Sequence, residues 1–169
     1  MTTMTSKPMT GMAEMRERIV LGVGAGVGGM ILLAIAYGAV NGRLVTAGQH
    51  GVWLALHLVS VIPALPLGAW VLLRRKGGRP HRMLGRIWAG LMMTAALSSF
   101  GLHGLTGGFS WIHLFSIIVS INVPRGIVQA VRRDIDAHRR TMTMTYLGLV
   151  GAGLFTLLPG RLLGSWLFG

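Results

Sequence analysis

HGVWLALHLVSVIPALPLGAWVLLRRKGGRPHRMLGR, residues 50–86, decides the fold. From Gly51 to Leu73 it contains no Asp, Glu, Lys or Arg. The basic residues Arg74, Arg75, Lys76, Arg79, Arg82 and Arg86 then crowd the next stretch. A run of about 20 apolar residues matches the hydrocarbon thickness of a bilayer, and a dense basic segment directly after it marks the cytoplasmic side. The composition of the whole chain agrees with that local reading. Its 169 residues are 52% apolar and 12% charged, with a mean hydropathy of +0.63. Soluble domains carry about a quarter charged residues.

Four further segments resemble 50–73, at about 19–41, 83–104, 111–131 and 141–158. All five are expected to be helices, because an isolated strand leaves its backbone groups unsatisfied in lipid. The expected fold is an all-α integral membrane protein, a five-span bundle forming one transmembrane domain over 19–168. A polar, Met- and Thr-rich cytoplasmic tail precedes it at 1–18. The first apolar run is full length and lacks a small-residue cleavage site before a polar mature chain, so it reads as a retained span.

The net charge of +12 raises nucleic-acid binding, but the basic residues punctuate apolar runs instead of interleaving with a recognition surface. Fourteen of the 16 Lys and Arg fall in the tail, in 74–86 and in 125–140; only Arg43 and Arg161 fall on the other side. The expected topology is therefore N-in and C-out. With no cysteine, disulfides, thiolate-held clusters and covalent c-type haem are excluded, which leaves the six histidines as the principal metal-ligand candidates.

The chain also repeats itself. HLVSVI at 57–62 and HLFSII at 113–118 share their His, Leu, Ser and Ile positions. Arg74–Arg75 then answers Arg132–Arg133, and His81–Arg82 answers His138–Arg139, at nearly equal spacing. Spans 2–3 and 4–5 read as two copies of one helical hairpin behind an added first span.

This repeat sorts the histidines into two levels. At 1.5 Å of rise per residue, His57 lies roughly 10 Å and His113 roughly 3–5 Å below the outer boundary. His81 and His138 open spans 3 and 5 at the inner side. Two imidazoles from different helices can hold a b-type haem iron from both faces, giving an outer pair, His57/His113, and an inner pair, His81/His138. Ser60 and Ser116, one turn beyond the outer histidines, are candidates to orient them. The simpler reading is that histidines near an interface only reach headgroups or backbone carbonyls, and it weighs most for His81 and His138. His103 supplies an alternative ligand, with His57 and His113, for an outer-face zinc or copper ion. Arg82, Arg86, Arg125 and Arg139 are candidates to hold anionic groups: haem propionates, lipid phosphate, a quinone or an anionic substrate.

Residues 24–29 formally match GxGxxG but lie inside an apolar span, where Gly24 and Gly28 make a face for close helix packing and leave a homo-oligomer conceivable. The five tryptophans read mostly as interface anchors. No nucleophile–base pair and no carboxylate within a span supports hydrolysis or carboxylate-based proton pumping.

HRMLGR at 81–86, HRRTMTM at 138–144 and GLFTLLPGRLLG at 153–164 resemble a family of small bacterial predicted integral membrane proteins of unknown function. That resemblance implies the bacterial cytoplasmic membrane and no activity. The layout of helices and histidines is also similar to transmembrane dihaem cytochromes b. That similarity implies electron transfer, an outer haem on His57 and His113, and an inner haem on His81 and His138. Three readings follow: a b-type haem protein working with a redox partner or quinone; a non-catalytic membrane module, whether subunit, lipid-binding scaffold or small transporter; and an outer-face zinc or copper site.

Overall fold

The computed structural model describes residues 9–41, 51–74, 76–102 and 111–158. His50 and His103 lie outside the described residues. Five helices account for nearly all of the described chain, and no strand occurs among the described residues: α1 Met9–Val40, α2 Gly51–Leu73, α3 Arg79–Phe100, α4 Trp111–Val131 and α5 Ile135–Thr156. The bounds of α2 and α4 fall on the apolar runs. In contrast, α3 and α5 start several residues before theirs, and α1 starts at Met9 within the polar tail. Hydropathy marks where a helix can meet lipid, whereas hydrogen bonding carries the helix on through charged residues that water solvates.

Helices α2, α3, α4 and α5 close a ring, each packing on its two neighbours, and α1 lies in the groove between α2 and α5. Thus α2 and α4 stand diagonally opposite, as do α3 and α5. Glycines set how closely α1 docks. A side chain at Gly24 would collide with the Tyr146 hydroxyl, one at Gly28 would touch Leu65, and one at Gly153 would press on Val27 and Ile31. The Gly24/Gly28 face expected to serve close helix packing packs within the chain, on Tyr146 and Leu65. The GxGxxG match lies in mid-helix with no strand before it.

The core runs through Leu65, Trp88, Met92, Val123 and Tyr146, all nearly inaccessible. Trp88 corrects one expectation. It is no interface anchor, being buried with its indole Nε1–H donating to the Ala64 carbonyl at 3.0 Å. Trp70 is exposed near the C-terminal end of α2, with the Arg74 guanidinium 5.6 Å above its ring.

Polarity is distributed as lipid demands. Large apolar side chains are exposed on every helix, among them Leu33, Val59, Leu97, Ile121 and Met144. The hydroxyls of Ser60, Ser98, Ser99, Ser116 and Thr145 are turned inward. In water such a surface would be an association hazard, while in a bilayer it is the solvated face. Two helices, Gly51–Leu73 and His113–Val131, are long and apolar enough to cross a membrane, and α1 carries a shorter apolar stretch at Gly22–Gly38. Hydroxyls and charged helix starts dilute α3 and α5 below that mark.

Candidate functional site

The site at the end of the bundle expected to face outward is built on the last two turns of α3. His57 extends from α2 so that its Nδ1 lies 2.9 Å from the Ala95 carbonyl, with the Ser98 hydroxyl 3.4 Å from the same nitrogen. A carbonyl only accepts, so Nδ1 carries the proton and Nε2 keeps its lone pair. Ser98 also donates to the Ala95 carbonyl at 3.1 Å. One turn along, Ser99 donates to the Ala96 carbonyl at 2.7 Å. Its oxygen lies 2.5 Å from that of Ser116 on α4, so the two hydroxyls share a hydrogen bond. His113 is 3% exposed, its ring centroid 6.2 Å from that of Phe100. His57 and His113 thus sit at the same end of the bundle, both against residues 95–100 of α3.

The serines do not take the roles the sequence suggested. Ser60 donates to the Leu56 carbonyl on its own helix at 2.7 Å, and Ser116 pairs with Ser99. The backbone of Ala95 and the hydroxyl of Ser98 orient His57 instead. Ser98 and Ser99 were not legible as site residues, since two serines in an apolar run carry no sign of which way they face. The proposed partner His103 lies outside the described residues. Among those described, no three His, Cys, Asp or Glu side chains are grouped to share a metal ion.

At the opposite end, expected to face inward, His138 is held in a similar way. His138 has its Nδ1 2.8 Å from the Gly126 carbonyl on α4, which again leaves Nε2 with the lone pair. Burial holds the His81 imidazole below its ordinary value of 6.5; repulsion from His138 and then Lys76 adds to this, while the Val71 backbone acts in the opposite sense. The two inner histidines, from diagonal helices α3 and α5, are therefore near enough to feel each other's charge. Arg82, Arg86, Arg125 and Arg139 are all exposed. Arg82 and Arg86 join Arg79, Pro80 and Met83 around an open recess of about 450 Å³.

A dry layer of Leu65, Trp88, Met92, Val123 and Tyr146 forms the core. Buried polar atoms that make no hydrogen bond among the described residues include His81 Nδ1, Ser120 Oγ, Gln129 Oε1 and Tyr146 Oη.

An inward-polar, outward-apolar helical bundle of this kind defines a membrane protein with transmembrane helices. The chain belongs to the family described as "Predicted membrane protein (DUF2306)", a family of unknown function whose model matches residues 54–163. That range takes in both histidine levels and leaves α1 outside. The comparisons with curated proteins and with solved structures find no match.

Proposed function

We propose that this protein is a five-span bundle of the bacterial cytoplasmic membrane that binds b-type haem between histidines and moves electrons through the bilayer. The carrying observation is the state of His57 and His138. Each has its Nδ1 tied to a backbone carbonyl of a neighbouring helix, at Ala95 and Gly126. A metal-ligating histidine needs that arrangement, in which one nitrogen is fixed by an outer partner and the other is left as a neutral donor. His57 and His113 are the ligands for an outer group, and His81 and His138 for an inner one, each pair drawn from diagonal helices. Arg139, next to His138, is a cation for a propionate, and Arg125 is a second. A bound b-type haem supplies one-electron iron chemistry. The chain itself supplies oriented imidazoles, an apolar core and a water-excluding outer surface for exchange with a redox partner or quinone.

Duplication of the hairpin supports this pairing. Gly77 and Arg133 have positive φ, 88° and 61°, and each immediately precedes the N-cap of the next helix, Gly78 or Asp134. Both ends of α3 and α5 correspond at the same separation of 56 positions, from Arg79 to Ile135 and from Phe100 to Thr156. His57 and His113 are also 56 apart. The five-span topology, N-in and C-out, rests on the charge asymmetry and on helix length. At 1.5 Å per residue even the shortest helix reaches roughly 30 Å.

The test is an absorption spectrum of the detergent-purified protein from haem-supplemented cells, oxidised and then reduced with dithionite. A Soret band with sharp reduced bands is expected, and His57→Ala and His113→Ala should remove the same chromophore. Absence of both band and iron sinks the haem reading and leaves the non-catalytic membrane module. Zinc or copper without haem favours the outer-face site that adds His103. The absence of native cysteine makes single-cysteine labelling from either side a clean test of topology.

A further inference from the structure

We infer that the recess at the start of α3 is a binding site for the headgroup of an anionic phospholipid. Arg79, Arg82 and Arg86 line it together with Pro80 and Met83, and it encloses about 450 Å³ while staying open to the outside. The three arginines recur at intervals of three and four residues, so they share one face of the helix.

The four acids are Glu14, Glu17, Asp134 and Asp136, none of them on α2, α3 or α4. The first turn of α3 contains no acid, and its N-cap, Gly78, offers no side chain to the free amide groups. The helix dipole therefore adds to the guanidinium charge. The matching start of α5 differs, because Asp134 accepts from the Ala137 amide at 3.2 Å and Asp136 lies in the first turn. That corner meets its own helix end with carboxylates, whereas the first turn of α3 carries none.

The rest of the same face identifies the anion's source. Met83 and Ile87 are exposed apolar residues four apart, followed by Gly90, beside which there is open space, and then by exposed Leu97. A phosphate bound by the arginines at the interface would have its acyl chain running down this apolar track. A free phosphate ion would use only the upper part of the site. Arg forks suit phosphate oxygens, and each cationic side chain at a membrane surface adds attraction to anionic lipid.

The experiment uses the full chain in nanodiscs of phosphatidylcholine containing a minor fraction of phosphatidylglycerol. Native mass spectrometry of the released protein reads retained lipid. Wild type should retain phosphatidylglycerol over phosphatidylcholine. Arg82→Gln should weaken retention about fivefold, and the triple change R79Q/R82Q/R86Q should abolish it. A control, R132Q/R133Q/R140Q, removes equal charge from exposed arginines given no binding role and should keep it. Excess inorganic phosphate should fail to displace the lipid. Equal loss in the control would mean diffuse surface charge and overturn the site. Displacement by phosphate would reassign it to a soluble anion. In haem-loaded protein, haem lost from the recess variant with lipid retention intact would reassign the arginines to propionates. No preference between the two lipids in the wild type would refute the proposal outright.

Discussion

The indole nitrogen of Trp88 on α3 donates to the Ala64 carbonyl on α2 across 3.0 Å, and Gly68, one turn along α2, leaves the space that the indole occupies. A side chain at Gly68 would collide with that nitrogen and come within 2.7 Å of the Tyr146 ring. One glycine thus admits two aromatic rings from α3 and α5 to the centre of the bundle. Trp88→Phe keeps most of the packing and loses the bond. It should cost about 1 kcal/mol in unfolding measured in detergent.

Two glycines that are both crowded should respond differently to alanine. At Gly68 the obstacles are rigid rings, so Gly68→Ala should destabilise by about 1–3 kcal/mol. At Gly126 the nearest atom is the terminal methyl of Met142. A flexible thioether can swing aside, so Gly126→Ala should cost less than about 1 kcal/mol. Parallel thermal unfolding of the two variants checks the ordering, and equal losses would contradict it.

The Ser99–Ser116 pair links α3 to α4 at the outer level. A double-mutant cycle of Ser99→Ala and Ser116→Ala should yield a coupling of about 0.6 kcal/mol, typical of hydroxyl pairs in membrane bundles. Additive losses would show that the two hydroxyls do not bond to each other.

Backbone conformation gives an opposed pair of predictions. Gly77 has φ 88° and Arg133 φ 61°, and only glycine occupies that region at little cost. Gly77→Ala should destabilise by about 1 kcal/mol. Arg133→Gly should stabilise by about 0.5–1 kcal/mol, relief of strain exceeding the added freedom of the unfolded chain. Midpoints of thermal unfolding should move in opposite directions.

His81 makes stability depend on pH. Its folded value is lowered, first by burial and then by His138 and Lys76, with the Val71 backbone opposing. Below 6.5 the unfolded chain therefore binds more protons than the folded one, and stability falls as pH falls through that range toward the depressed value. Above 6.5 both states are neutral at this position and the contribution is complete. A melting-temperature series from pH 8 to pH 5 should decline on the acid side, and His81→Gln should flatten it. An unchanged slope in the variant would assign the effect to another group.

Some of this was legible from residue order alone. The apolar runs at 50–73 and 111–131 marked α2 and α4 almost to the residue, because hydropathy is a sum along the chain that needs no knowledge of neighbours. The two levels of histidines followed from spacing. Helices α3 and α5 extend beyond their apolar stretches, through Arg79 to Arg82 and Asp136 to Arg140, which hydropathy alone does not mark. Trp88 was misread because proximity to a span end does not tell whether a ring points to lipid or to Ala64.

By itself, the sequence determined that this is a helical membrane protein with its charge gathered into a few short segments. Those properties depend on about 20 residues at a time and on the cost of moving each residue type into lipid. Only the tertiary structure decided that Gly24 and Gly28 seat α1 against Tyr146 and Leu65, that Ala95 and Ser98 hold His57, and that three arginines on α3 surround a recess. Such pairings depend on the rotation of each helix about its axis and on where a missing side chain lets another enter. No run of residues along one helix records the position of its neighbours.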